Sequence, residues 1–342
     1  MKRREFIHFA GSLGATPRLA SAFTGGSLRN HEKGSTVAAQ ANPAEISNPI
    51  SIHPMNPRYF LFRGKPLILI AASEHYGSVV NRRFNFARYL EAAADCKQTV
   101  TRLFLLYREL QTARNPCSPV KPESPDFVAP YPRTGPGKAM DGEPMYDLDQ
   151  WNTEYFDRLH RFLSMASDLG IVVELTLFSN NYEDGVWALN PLRDKNNIQG
   201  VGKVEWQEYT SRKDQSLVQR QSAFARKIIE ETSIYENVYY EICNEPGGDV
   251  PDHASLADVD AWQEELGRII RGELSRLHRK HLIVGQNASA GFNVQQYSEG
   301  VGDSHFDASF SGSLLDAVNL HPLPNVILRG HTSSSATSWQ RN

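Results

Sequence analysis

The sequence predicts an α/β protein whose parallel strands close, at least in part, into a barrel. Three observations carry this. Strand-like and helix-like segments alternate between residues 50 and 321, the pattern of repeated β-α-β units. The third strand alternates Ile171, Val173, Leu175, Leu177 with Val172, Glu174, Thr176, Phe178, so one face is partly polar. An open sheet covered by helices on both sides should be apolar on both faces, whereas a barrel interior can hold charged layers. And no glycine-rich phosphate loop follows the first strand, where Ala72-Ser73-Glu74-His75-Tyr76 stands instead.

Arg58 to Ile68 reads as a small hairpin that leads into a first buried strand at 67–73. A helix at 84–96 places Phe86, Leu90 and Ala93 on one face, and Thr99 to Leu106 forms the second strand. A Pro-rich excursion over 115–144 is too long for a connector and predicts a functional surface loop. The second helix, 152–169, stops at Gly170 and feeds the third strand, Ile171 to Phe178. A second long loop, 179–215, precedes a helix at 216–232 and a strand from Val238 to Cys243. A helix at 258–279, a fifth strand from His281 to Gln286 and a sixth from Asp316 to His321 complete the series.

Composition narrows the function classes. With 36 Lys+Arg against 39 Asp+Glu, the net charge of −3 gives no electrostatic case for a nucleic-acid or polybasic membrane partner. Three cysteines (Cys96, Cys117, Cys243) make neither a disulfide framework nor a C-x-x-C metal site. The longest apolar run, Pro66 to Ala72, is far short of the roughly 20 residues of a membrane span. At the N-terminus Lys2-Arg3-Arg4-Glu5-Phe6-Ile7 precedes a modest apolar run and Ala20-Ser21-Ala22, resembling a twin-arginine export signal over 1–22. Pro17 and Arg18 interrupt that run, so a disordered basic start is the other reading. Residues 23–49 read as linker, 50–324 as the barrel and 325–342 as an unstructured or out-of-frame tail.

H-E-x-x-H, G-x-S-x-G, P-loop and H-x-H motifs are absent. The informative segment is Tyr239-Tyr240-Glu241-Ile242-Cys243-Asn244-Glu245-Pro246, a strand that runs straight into Asn-Glu-Pro. Residues at the C-terminal ends of barrel strands point into the common mouth where substrates bind. On this segment, with Thr99-Val100-Thr101-Arg102-Leu103-Phe104 and Asn319-Leu320-His321, the chain resembles the retaining glycoside hydrolases of the cellulase-like family 5 clan over roughly residues 50–324.

That resemblance implies a (β/α)8 TIM barrel enzyme acting on a carbohydrate, with no cofactor; the signal-like start at 1–22 would make it exported to the periplasm or beyond. It makes Glu245 the general acid/base, Asn244 a ligand for the sugar 2-hydroxyl and Arg102 a support for the catalytic carboxylates. His321 would line the site. Arg102 is equally placed to neutralise Glu174 or Glu241 inside the barrel. Glu74, His75 and Tyr76 end the first strand and could contact sugar hydroxyls, although a structural histidine fits as well. Phe178 ends the third strand where many members carry a His, and is expected at the substrate. Trp187 is a candidate sugar platform or a cover for a core edge, and Cys243 reads as packing.

The clan's nucleophile is a Glu at the end of the seventh strand. Only six strands are counted and no Asp or Glu follows Asp316, so the barrel is expected to be incomplete and the chain inactive or impaired. Two alternatives stay open: a non-catalytic carbohydrate-binding barrel, and a barrel hydrolase of different chemistry using Glu74, His75 and Glu245, with or without a metal.

Overall fold

The computed structural model describes residues 48–71, 77–110, 121–246, 254–285 and 314–319. Five strands, β4 (Val100–Phe104), β5 (Val172–Ser179), β6 (Val238–Asn244), β7 (Ile283–Gly285) and β8 (Ala317–Val318), form one parallel sheet in the order β4-β5-β6-β7-β8. Each crossover therefore adds the next strand on the same side. A doubly wound sheet reverses its order at a switch point, whereas a barrel wall grows in this sequential way.

Helices precede β4 and join β4 to β5, β5 to β6 and β6 to β7, and side chains cap their starts. In α1 (Phe86–Asp95) the Asn85 side chain accepts from the Arg88 amide, and in α2 (Thr153–Asp168) Asn152 accepts from the Glu154 amide. After the short α3 (Asp184–Trp187), α4 (Gln215–Thr232) starts at Asp214, which accepts from the Ser216 and Leu217 amides. Helix α5 (Leu256–Arg276) starts at Ser255, which caps the Asp258 amide. These side chains satisfy helix-start amides that would otherwise lack partners.

Alternation sorts the strand residues into two cores. Leu103, Val173, Leu175, Leu177 and Ile242 pack outward with Leu90, Leu159, Phe162, Ile228 and Leu266 of the helices. Val100, Val172, Tyr239, Leu282 and Val284 point inward at the base of the sheet, where Ile50 and Phe62 join them. Those two residues belong to an N-terminal segment built on three antiparallel strands, β1 (Ser51–Ile52), β2 (Phe60–Phe62) and β3 (Lys65–Leu67). Arg63 and Gly64, both at positive φ, make the two-residue turn between β2 and β3. This small sheet covers the base of the parallel sheet.

The expected first buried strand at 67–73 is corrected. Leu67 ends β3, and residues 68–71 carry no regular structure, with Ile68 and Ile70 more than half exposed. Residues 72 and 73 lie outside the described residues. The segment still lies alongside the start of β4. Thr99 donates its amide to the Ile70 carbonyl at 2.9 Å and accepts from the Ile70 amide through its hydroxyl at 2.7 Å. The Thr99 side chain thus takes a ladder position, and a side-chain partner does not propagate a strand.

The excursion after β4 is not a purely surface loop. Phe127, Val128, Ala129, Tyr131, Tyr146 and Leu148 are buried, and Asp141 is clamped between Arg108 (2.8 Å) and Arg133 (2.6 Å). Burial works against the Asp141 carboxylate, but the two guanidiniums outweigh it and hold its pKa below the ordinary range.

Candidate functional site

Above the apolar floor the inward residues become polar. Arg102 of β4 pairs with Glu241 of β6 and lies 3.7 Å from Glu174 of β5. Glu241 is fully buried; it also accepts from the Thr176 hydroxyl at 2.7 Å and the Asn319 amide at 2.9 Å. Glu174 accepts from the Tyr239 hydroxyl at 3.0 Å and from the same Asn319 amide at 3.2 Å. Burial, and then the neighbouring Glu174 carboxylate, push the Tyr239 phenol well above its usual pKa, so it stays a donor. One guanidinium and one amide thus hold two carboxylates together, tying β4, β5 and β6 to the residue after β8. Buried charges persist when paired and hydrogen-bonded in this way.

Glu245 stands one residue beyond β6, at the mouth. Its φ of +47° is left-handed, a conformation that non-glycine residues adopt mainly where the surroundings enforce it. Its Oε2 accepts from the Tyr182 hydroxyl at 2.6 Å. Asn244, buried as the last residue of β6, donates from Nδ2 to the Tyr182 oxygen at 2.5 Å and to Ser179 Oγ at 3.3 Å.

Tyr182 is itself left-handed, with φ of +61°, and the loop after β5 holds it there. Asn180 takes the Tyr182 amide on its side-chain oxygen at 3.1 Å, while its own amide donates to the Asn244 carbonyl at 3.1 Å. The ends of β5 and β6 are tied together, and the tie sets the tyrosine over the glutamate. The Tyr107 ring, beyond β4, meets Tyr182 edge-on at 6.2 Å.

Asn244 and Glu245 therefore meet at the end of β6, joined through the Tyr182 hydroxyl. Arg102 sits one layer below the mouth, in the ion network, so the neutralising arrangement weighed for it exists, and with both carboxylates. Two expectations are corrected. Phe178 does not face the site: the inward alternation of β5 ends at Thr176, and the Phe178 ring packs 5.7 Å from both Phe224 of α4 and Trp262 of α5. Trp187 is fully buried, donates its indole N–H to the Val204 carbonyl at 2.9 Å and packs on Tyr209, so it has no face for a sugar. Both rings gain more from the core than a solvent-facing loop would give.

Glu74, His75, Tyr76 and His321 lie outside the described residues. Cys243 is buried packing, its thiol pushed up by burial and then by Glu241. Sequence reasoning missed Tyr182 as a partner of Glu245 and Asn319 as the bridge between carboxylates. The inward alternation of β5 and β6 could have flagged Thr176 and Tyr239, but nothing local marks a contact across 63 residues. Among the described residues no group of three or more His, Cys, Asp or Glu side chains is placed to hold a metal ion. No helix among them is long and apolar enough to cross a membrane.

A family described as "Domain of unknown function (DUF6298)" matches residues 121–243, a stretch that stops just before Asn244 and Glu245. No curated protein matches the chain by sequence. Among solved structures, a glycoside hydrolase family 5 mannosidase from Rhizomucor miehei, in a mutant form, is 14% identical with a TM-score of 0.50; the match covers 80% of this chain and 62% of that one. An endo-1,4-beta-mannanase from the same organism is 15% identical with a TM-score of 0.48, over 82% of this chain and 74% of the mannanase. The chain thus spans less than two thirds of the mannosidase. At this identity the likeness is one of fold: a parallel α/β sheet of the kind on which a family 5 glycoside hydrolase is built.

Proposed function

We propose that the chain is a glycoside hydrolase of the retaining type, with Glu245 as general acid/base. The observation that carries this is the placement of Glu245. It stands at the C-terminal end of a central barrel strand, in a left-handed conformation, hydrogen-bonded to Tyr182 and next to the buried amide of Asn244. Glycoside hydrolysis needs a carboxyl that gives a proton to the leaving oxygen and later takes one from water. Arg102 and the Glu174–Glu241 layer form the rigid bed beneath it. Asn244 is the candidate partner of a sugar hydroxyl, and His75, Tyr76 and His321 remain candidates from the sequence.

The second carboxylate, which would attack the anomeric carbon, is not assigned. Glu74, which lies outside the described residues, is the first candidate from the sequence. Residues 1–22 fit an export signal and 23–49 a linker. Calorimetric titration with β-linked manno- and cello-oligosaccharides, alongside turnover of aryl β-glycosides, tests the reading. Binding with turnover supports the reading, binding without turnover favours a non-catalytic carbohydrate-binding protein, and binding of none of them would remove it.

A further inference from the structure

The Asn244–Tyr182–Glu245 chain is directional, and its direction follows from donor chemistry alone. An amide N–H only donates, so the Asn244 contact at 2.5 Å occupies a lone pair on the Tyr182 oxygen. The single phenolic proton is then aimed at Glu245 Oε2, 2.6 Å away. An ionised carboxylate is an acceptor only, and a hydrogen bond donated to it stabilises the charged form. Two left-handed residues, Tyr182 and Glu245, hold the geometry, with Asn180 fixing the tyrosine backbone.

We infer that Tyr182 is a positioning residue for Glu245: its hydroxyl, polarised by Asn244, fixes the carboxyl's orientation and favours its ionised state. The inference rests on reading Glu245 as the working carboxyl, and it adds an assignment that the strand motif does not contain. In a double displacement Glu245 acts first as an acid and then as a base. A donor that favours the carboxylate keeps Glu245 in the ionised form from which the second stage starts, while lowering its proton affinity, so the main contribution of the contact is to orientation. It also prevents the side chain from turning away from the mouth between stages.

The test reads Glu245 directly, so it does not depend on turnover. In uniformly 13C-glutamate-labelled full-length protein, the Glu245 carboxyl resonance is identified by its loss in Glu245→Gln and followed against pH. Tyr182→Phe removes the hydroxyl and keeps the ring. Its expected effect is an upward shift of the Glu245 midpoint by about one pH unit, a tenfold change in the ionisation constant. Asn244→Ala, which removes the polarising amide and leaves the hydroxyl, is expected to shift it the same way by less. Tyr182→His, which restores a donor, is expected to recover part of the shift.

Among the described residues, the titratable groups beside this pair, Tyr107 beyond β4 and Cys243 of β6, and the Arg102–Glu174–Glu241 network are common to all variants. A midpoint in Tyr182→Phe unchanged to within a few tenths of a unit, in protein with the parent's melting temperature, overturns the inference. Saccharide binding, measured in parallel, reports on the glycosidase reading separately. A shifted midpoint without any binding would keep Tyr182 as the partner of Glu245 while removing that reading. If Tyr182→Phe is too unstable to titrate, 3-fluorotyrosine at position 182 supplies a stronger donor, and the midpoint must then fall; a midpoint that stays put contradicts the inference.

Discussion

Arg102 of β4 and Glu241 of β6 form an ion pair across the interior of the sheet, with β5 between them and the glutamate fully buried. The pair is asymmetric in its consequences. Arg102→Ala leaves two carboxylates, Glu174 and Glu241, without their cation, and loss of one member of a buried pair costs about 3–5 kcal/mol. Urea unfolding should show that loss, while Arg102→Met combined with Glu241→Gln should lose less than Arg102→Ala alone. Equal losses would mean that the charge pair is not what the interior depends on.

His281 predicts a pH dependence of stability. Its Nε2 lies 2.9 Å from the Tyr235 carbonyl and must donate to it. Burial lowers its pKa to about 4 from the ordinary 6.5; the Tyr235 hydrogen bond resists this and Arg279 adds to it. Between those values the unfolded chain binds a proton that the folded one refuses, so stability rises with pH from about 4 to 6.5. The single group contributes about 3 kcal/mol over that window. Denaturant midpoints taken across it should climb in the parent and climb less in His281→Asn. Parallel curves would assign the dependence to other groups.

Trp187 is predicted to matter for stability. Trp187→Ala should cost about 3–5 kcal/mol, the usual range for emptying a buried tryptophan site. A milder Trp187→Phe should leave any saccharide affinity unchanged. A selective loss of affinity in Trp187→Phe, with the melting temperature intact, would return this ring to the site.

Gly202 is the one position in the second long loop where close approach forbids a side chain. It sits at φ +89°, and a Cβ there would come within 1.9 Å of the Leu192 carbonyl oxygen. Gly202→Ala should therefore lower the thermal midpoint by several degrees, whereas Gly200→Ala, with open space around it, should lower it less. A larger drop at Gly200 would contradict the loop packing described here.

The parts that were legible in the sequence are those governed by local physics. The helices expected at 84–96, 152–169 and 216–232 correspond to α1, α2 and α4, and the inward set Val172, Glu174, Thr176 follows from strand alternation. The position of Glu245 at a strand end followed from the same strand pattern. Phe178 was misplaced because alternation says nothing about where a strand's end yields to aromatic packing from two helices. Tyr182 and Asn319 could not be read because each acts across a long loop or a whole crossover. The first strand failed because the Thr99 hydroxyl replaces a backbone partner, a substitution invisible to hydrophobic pattern.

The central claim is that Glu245 is the carboxyl around which this site is built. Its most direct test compares the parent protein with Glu245→Gln for saccharide binding and for hydrolysis of an aryl β-glycoside with a poor leaving group. The account predicts that both proteins bind the same oligosaccharides and that whatever hydrolysis the parent shows falls by about a hundredfold or more in the variant, the scale of general acid catalysis. Hydrolysis that survives in Glu245→Gln at the parent's rate would contradict it.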